Sequence, residues 1–190
     1  MSAQERTHPM TVEEFEAFVQ LPENADKTFE YVKGEVYEVP SNPFVSKIAS
    51  IISGYLFVYL MQNDIGHITG EAGGYRVMGE RYAPDVAFIR YEKQPELAKK
   101  GYNPAPPDLA VEVISSESKA EEDRLTVKLS NYLAAGTIVW IVRPEAGEIE
   151  VHDPAKGGRI VKKDAEQPVI DGGDLLPGFT LNVAQVLKSV

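Results

Sequence analysis

The sequence predicts an α/β fold, a mixed β-sheet with flanking helices, and three observations carry that prediction. The first is size: 190 residues, 43% hydrophobic and 25% charged, match one globular domain with a sizeable core. The second is a succession of short runs rich in β-branched and aromatic residues, divided by Gly- and Pro-containing turns. The third is the placing of two helical segments, one before the main group of strands and one between Ile114 and Ile138. A helix in that second position is what a parallel crossover between neighbouring strands requires. A single domain over residues 1–190 follows, without internal repeat, low-complexity tract or linker.

Taken in order, Thr11-Val-Glu-Glu14 fits a capping box, and Val12, Phe15, Phe18 and Val19 recur at helical spacing, so a short helix ends near Leu21-Pro22. Thr28 to Val39 reads as two strands joined by a tight turn at Lys33-Gly34, with Glu30 on the first strand. Residues 43–62 are apolar on most sides, which suits a central helix pressed against a sheet and is too short and too polar for a membrane span. Strands are expected at 67–69, 75–78 and 84–89, then a helical turn at Pro95–Lys99, then a strand at Leu109–Ile114 after Pro104, Pro106 and Pro107. Leu125, Leu129, Tyr132 and Leu133 share one face of a helix from about Lys119 to Ala135, closed by Gly136. Strands at 138–142 and 148–152, with 159–161 beside them, precede an extended piece and a short terminal helix.

Composition narrows the function classes. With no cysteine the chain forms neither disulfides nor thiolate zinc sites, and His8, His67 and His152 are too scattered to suggest a histidine-rich metal site. The first forty residues carry no apolar leader, and a soluble cytoplasmic protein is expected. A formal charge of −10 argues against a general nucleic-acid binder, because phosphate affinity rests on Lys and Arg. The imbalance is local, however. Residues 1–40 hold nine acids against three bases, whereas residues 76–100 hold six bases against four acids.

The chemistry centres on two strands. Asp85 in Tyr82-Ala-Pro-Asp-Val-Ala-Phe-Ile89 and Glu112 in Pro107-Asp-Leu-Ala-Val-Glu-Val-Ile114 each sit among strand-forming apolar residues with no adjacent opposite charge. Burying a lone carboxylate costs several kcal/mol, so both acids need an open strand end or a positive partner, and a divalent metal is the natural candidate. If the two strands are neighbours, Asp85, Glu112 and the backbone carbonyl of Val113 could hold Mg²⁺ or Mn²⁺, while Lys128 reaches back from the following helix to orient water or stabilise an oxyanion. That constellation describes a phosphodiester hydrolase. The plainer readings are that Asp85 shapes a strand entrance, Glu112 has a buried structural partner and Lys128 is a solvated helix residue. Ordinary structural roles are likewise open for Glu30, Asp108 and Trp140, and Ser115-Ser116 reads as a turn or cap.

Four motifs in order add a resemblance. Phe29-Glu-Tyr-Val-Lys-Gly-Glu-Val, Ala83-Pro-Asp-Val-Ala-Phe, Pro106-Pro-Asp-Leu-Ala-Val-Glu-Val-Ile-Ser-Ser and Lys128-Leu-Ser-Asn-Tyr-Leu-Ala-Ala-Gly-Thr-Ile-Val-Trp-Ile-Val together resemble the Uma2 family over about residues 10–185. The resemblance implies the restriction endonuclease-like, PD-(D/E)XK nuclease fold. It implies further that Asp85, Glu112 and Lys128 act together with a metal on DNA, and that Glu30 is a further acid of the site. It also exposes two departures. The usual lysine position two residues after the second acid holds Ile114, and Phe44-Val-Ser-Lys47 stands where a histidine is common.

The leading expectation is therefore a Mg²⁺- or Mn²⁺-dependent DNA endonuclease. A catalytically degenerate nuclease-fold module with a binding, assembly or regulatory role is the alternative, and a carboxylate-based hydrolase of small phosphoesters is a third reading. A homodimer is expected from the apolar surface of the long helix.

Overall fold

The computed structural model describes residues 9–39, 42–114 and 118–188. Helix α1 (Val12–Val19) begins in the expected capping box, the Thr11 hydroxyl accepting from the Glu14 amide while the Glu14 carboxylate accepts from the Thr11 amide. Strands β1 (Phe29–Val32) and β2 (Glu35–Glu38) form the expected hairpin. Its turn residues Lys33 and Gly34 have φ of 52° and 85°, the left-handed pair that suits the twist of a two-residue hairpin.

Helix α2 (Pro43–Leu60) starts at Asn42, whose side chain caps the Phe44 and Val45 amides. There follow β3 (Gly66–Gly70), β4 (Tyr75–Val77), β5 (Glu80–Tyr82), β6 (Val86–Arg90) and β7 (Leu109–Val113). Helix α3 (Lys119–Ala134) leads to β8 (Ile138–Arg143), β9 (Glu148–Asp153) and β10 (Gly157–Lys162). The chain closes with β11 (Val169–Asp171), β12 (Thr180–Asn182) and the short helix α4 (Val183–Val186).

Six strands make a mixed sheet in the order β10-β9-β8-β7-β6-β3, and its one parallel pair is β7 with β8, the two strands joined through α3. The β1–β2 hairpin does not join it. It forms a separate antiparallel sheet in the order β2-β1-β5-β4, which single-sheet reasoning from the sequence did not anticipate. β11 and β12 form a small ladder of their own.

Strand alternation sorts the core into two layers. On one face of the six-stranded sheet Val86, Phe88, Val111, Val113, Trp140 and Val142 pack with Val45, Ile48, Ile52 and Leu56 of α2 and with C-terminal residues such as Phe179 and Leu187. On the other face Ala87, Ile89, Ala110, Val139 and Ile141 pack with Leu125 and Tyr132 of α3 and with Val32, Tyr75, Val77 and Tyr82 of the smaller sheet. A satellite cluster of Met10, Phe15, Phe29 and Tyr31 seats α1 on β1. Trp140 is core, its ring stacked on Phe179 at 6.0 Å.

Two expectations need correcting. No helical turn forms at Pro95–Lys99; the segment is an irregular loop held from within by Gln94 and Asn103, whose side chains bond each other, the Glu96 carbonyl and the Ala98 amide. The long helix was expected to be too short and too polar for a membrane span, yet its 18 residues, with a mean hydropathy of 1.4, are long and apolar enough by length and composition alone. Its inner stripe is nonetheless committed to the sheet.

Candidate active site

Glu112 lies between Val111 and Val113, so alternation turns its side chain to the α3 face of the sheet. β6 runs antiparallel beside β7 with Val86 opposite Val111 and Ala87 opposite Ala110. The same register sets Asp85, one residue before β6, across from Glu112 and on the same face. Pro84 precedes it and has no N–H to offer the ladder. The Asp85 Oδ2 accepts from the Val113 amide at 2.6 Å, a short charge-assisted bond that pins the carboxylate at the strand ends. Val113 therefore meets Asp85 through its N–H.

Glu30 arrives from the other sheet. Phe29 and Tyr31 belong to the cluster under α1, which leaves Glu30 and Val32 on the opposite side of β1, facing α3. Its Oε1 accepts from the Ala83 amide at 2.9 Å and from Lys128 Nζ at 2.7 Å. Lys128 closes the group, because its Nζ also donates to Glu112 Oε2 at 2.8 Å and lies 5.6 Å above the Tyr82 ring. One turn further along α3, the Tyr132 hydroxyl donates to Glu112 Oε1 at 3.1 Å. Asn131 holds the Tyr82 hydroxyl at 2.6 Å, and the Tyr82 and Tyr132 rings meet edge-on at 5.2 Å.

Glu30, Glu112 and Lys128 are 4%, 8% and 6% exposed, which rules out a solvated helix lysine. Burial pushes the Asp85 carboxyl up to about 6, against the pull of the Val113 amide and Lys128. Burial likewise raises Glu112 to about 7, with the Glu30 and Asp85 carboxylates adding to the shift and Lys128 opposing it. For Lys128, burial alone would lower the value, but Glu112 and Glu30 outweigh it and hold the ammonium charged well above its ordinary range. Tyr132 is raised well above the phenol range by burial and by the same two carboxylates, and so stays a donor.

The cluster floors a cleft of about 110 Å³, whose walls include Tyr37, Val45, Ile114, Glu121, Arg124 and Leu125. Ile114, at the usual lysine position, packs as an apolar residue on the α3 side. Val45 supplies an apolar wall in the region where a histidine is common. Asp108 is not part of the group; it is a buried structural acid that accepts from the Arg90 amide at 2.8 Å and from the Arg90 guanidinium at 3.2 Å. Ser115 and Ser116 lie outside the described residues. Sequence reasoning placed Tyr132 on an apolar face and overlooked its hydroxyl. Its signal was the i, i+4 spacing from Lys128, which stacks the two side chains on one side of a helix.

Two carboxylates, Glu30 and Glu112, share the Lys128 ammonium with Asp85 beside them, and carboxylate oxygens of this kind suit a hard divalent cation. Among the described residues no three acidic or histidine side chains converge closely enough to hold a metal by themselves. A cation held by Asp85 and Glu112 would complete its shell with water, backbone or substrate oxygens, as Mg²⁺ commonly does.

The sequence model of the Uma2 family, described as "Putative restriction endonuclease", matches residues 15–184. This chain belongs to the Uma2 family. Its fold is also that of a crystal structure from Anabaena variabilis described as a putative nuclease belonging to DUF820, with a TM-score of 0.74, 19% sequence identity and coverage of 95% of this chain and 98% of that one. Among curated proteins none matches the chain. Within the restriction endonuclease-like fold of this Uma2 chain, a lysine carried on the helix that covers this face of the sheet reaches the second acid of the pair, while the strand position two residues after that acid is apolar.

Proposed function

We propose that this Uma2 protein is a Mg²⁺- or Mn²⁺-dependent endonuclease that hydrolyses DNA phosphodiester bonds. The observation that carries the reading is the meeting of Glu112, Glu30 and Lys128 within 2.8 Å contacts beside Asp85, at the open ends of β6 and β7. Asp85, Glu112 and the Val113 carbonyl would hold the ion, which would acidify a bound water and offset charge on the phosphoryl group. Lys128 keeps its proton, so it can donate to a phosphate oxygen as negative charge builds there. Tyr132 and Glu30 fix Glu112 and Lys128 in place from behind. Water adds across the P–O bond, its oxygen joining phosphorus as the ester oxygen departs with a proton, and leaves a phosphomonoester and a hydroxyl.

Nicking of a supercoiled plasmid by the purified protein in Mg²⁺ or Mn²⁺ tests this directly. Asp85→Asn and Glu112→Gln should each reduce the rate on the order of 10²-fold. Cleavage unaffected by both substitutions would refute the assignment. The second reading, a degenerate module, is favoured by Ile114 at the usual lysine position; calorimetry with Mn²⁺ that shows no binding dependent on Asp85 and Glu112 would support it. We propose a cytoplasmic location, which a chain without cysteine permits.

We further propose a homodimer built on α2. Phe57, Val58 and Met61 stand exposed on its outer side, next to an apolar groove of about 530 Å³ lined by Ile51, Tyr55, Tyr59 and Phe179. At Gly54, also in that groove, a side chain would meet nothing within 4 Å. The ridge and the groove lie on one helix, as a two-fold contact between identical copies requires. Lys47 is the only charged residue of α2, so this face brings two acidic chains together with little repulsion.

A further inference from the structure

The cleft holds a second cation whose role differs from that of Lys128. Lys128 commits two of its three N–H groups to buried carboxylates, and several arginines in the fold are tied down: Arg81 to Glu16 at 2.6 Å, Arg143 to Glu122 at 2.6 Å and to Glu150, Arg90 to Asp108 at 3.2 Å. Arg124 is different. It lies one helical turn before Lys128 on the same side of α3, about 6 Å nearer the helix start, and it lines the same cleft. Its guanidinium carbon lies over the Tyr37 ring, 4.6 Å from the centroid, a contact that uses none of its N–H groups. Its one ion pair, to Glu121, is loose at 3.8 Å, and among the described residues its side chain donates no hydrogen bond.

We propose that Arg124, shelved on Tyr37 and weakly masked by Glu121, binds the backbone phosphate adjacent to the one that reaches Asp85 and Glu112. The proposal rests on the nuclease reading and adds to it a residue that positions substrate. A planar fork of free N–H groups is suited to two non-bridging phosphate oxygens at once, which a lysine ammonium cannot match. The offset of about one helical turn from Lys128 separates this contact from the reacting phosphate. In a chain with a net charge of −10, one cation only loosely paired at an acidic cleft gives the incoming strand a local attraction that the overall charge withholds. Glu121 then acts as a stand-in for phosphate in the free protein and gives way when the strand arrives.

The experiment measures binding of a fluorescein-labelled DNA duplex by anisotropy over a range of salt concentrations, in Ca²⁺, alongside plasmid cleavage in Mn²⁺. Arg124→Ala should weaken binding about tenfold and reduce the slope of log K against log salt by about 0.9, the share of one duplex phosphate. Arg124→Lys should keep most of the slope yet raise KM for cleavage, since a point charge replaces the fork. Glu121→Gln, which unmasks the guanidinium, should tighten binding; a residue of purely structural importance would not produce that gain. Wild-type cleavage with an unchanged slope and affinity in Arg124→Ala would overturn the assignment and leave the nuclease reading standing. An Arg124-dependent slope without any metal-dependent cleavage would uphold the phosphate site and overturn the nuclease reading. A wild-type protein that binds no DNA would overturn the proposal.

Discussion

Lys128 is the residue on which the site's electrostatics turn. Its ammonium is buried with Glu30 and Glu112, so truncating it strands two carboxylates in a water-poor environment. Breaking a buried pair by removing one partner costs roughly 3–5 kcal/mol. Lys128→Met should therefore lower the unfolding free energy obtained from urea titration by that order, whereas Lys128→Met combined with Glu30→Gln and Glu112→Gln should recover much of the loss. If the single variant is as stable as the wild type, the network is not as buried as described. Acidity offers a second handle. Asp85 and Glu112 are raised from ordinary values of 3.8 and 4.5 to about 6 and about 7, so each binds its proton more tightly in the folded chain than in the unfolded one. The stability associated with these shifts is complete below the unfolded values and is lost as pH rises through 6 to 7. Relative to Asp85→Asn, the wild type should lose roughly 1–3 kcal/mol between about pH 4 and 7.5. A difference that stays flat over that range would show that Asp85 is not buried. Divalent cations should reduce the loss at the upper end if they bind the ionised pair.

At the scale of elements, α3 does most of the assembling. Ser118 accepts from the Glu121 amide at its start, and Arg124, Lys128 and Tyr132 follow at intervals of four, forming one stripe that faces the cleft and the sheet. Its far end is closed by Gly136 at φ 81°, a conformation that costs an L-residue roughly 1–2 kcal/mol although the space around it is open. Gly136→Ala should thus lower stability by about that much, read from thermal or urea unfolding, and leave metal-dependent activity per folded molecule unchanged. The helices and hairpin were legible beforehand because capping residues, turn glycines and a 3.6-residue period are local signals. β5 and β11 went unrecognised because Glu80-Arg81 in the one and Asp171 in the other interrupt runs that are only three residues long. At Pro95–Lys99 spacing suggested a helix, but the Asn103 side chain claims the Ala98 amide and the segment stays irregular. Asp85 and Glu112 could be marked as conspicuous acids from the chain alone; their shared face depended on the β6–β7 register, which is a non-local pairing.

At the scale of the molecule, the six-stranded sheet separates two tasks. One face, covered by α3 and the smaller sheet, holds the acidic cluster, and the other is covered by α2 and the C-terminal segment. The outer side of α2 carries the proposed dimer contact. Val58→Glu, at a position 60% exposed in the single chain, should convert a dimer to a monomer in size-exclusion chromatography with light scattering and leave the fold intact. A wild type that elutes as a clean monomer would contradict the contact. The chain by itself determined the α/β class, the main helices and the two strand-borne acids, since each depends on residues close together in sequence. Only the tertiary structure decided that the early hairpin would form a second sheet, that Glu30 would reach Lys128 across 98 positions of chain, and that Arg124 would rest on Tyr37. Those contacts arise where separate layers close on one another, and no local period or spacing records where a distant layer will land.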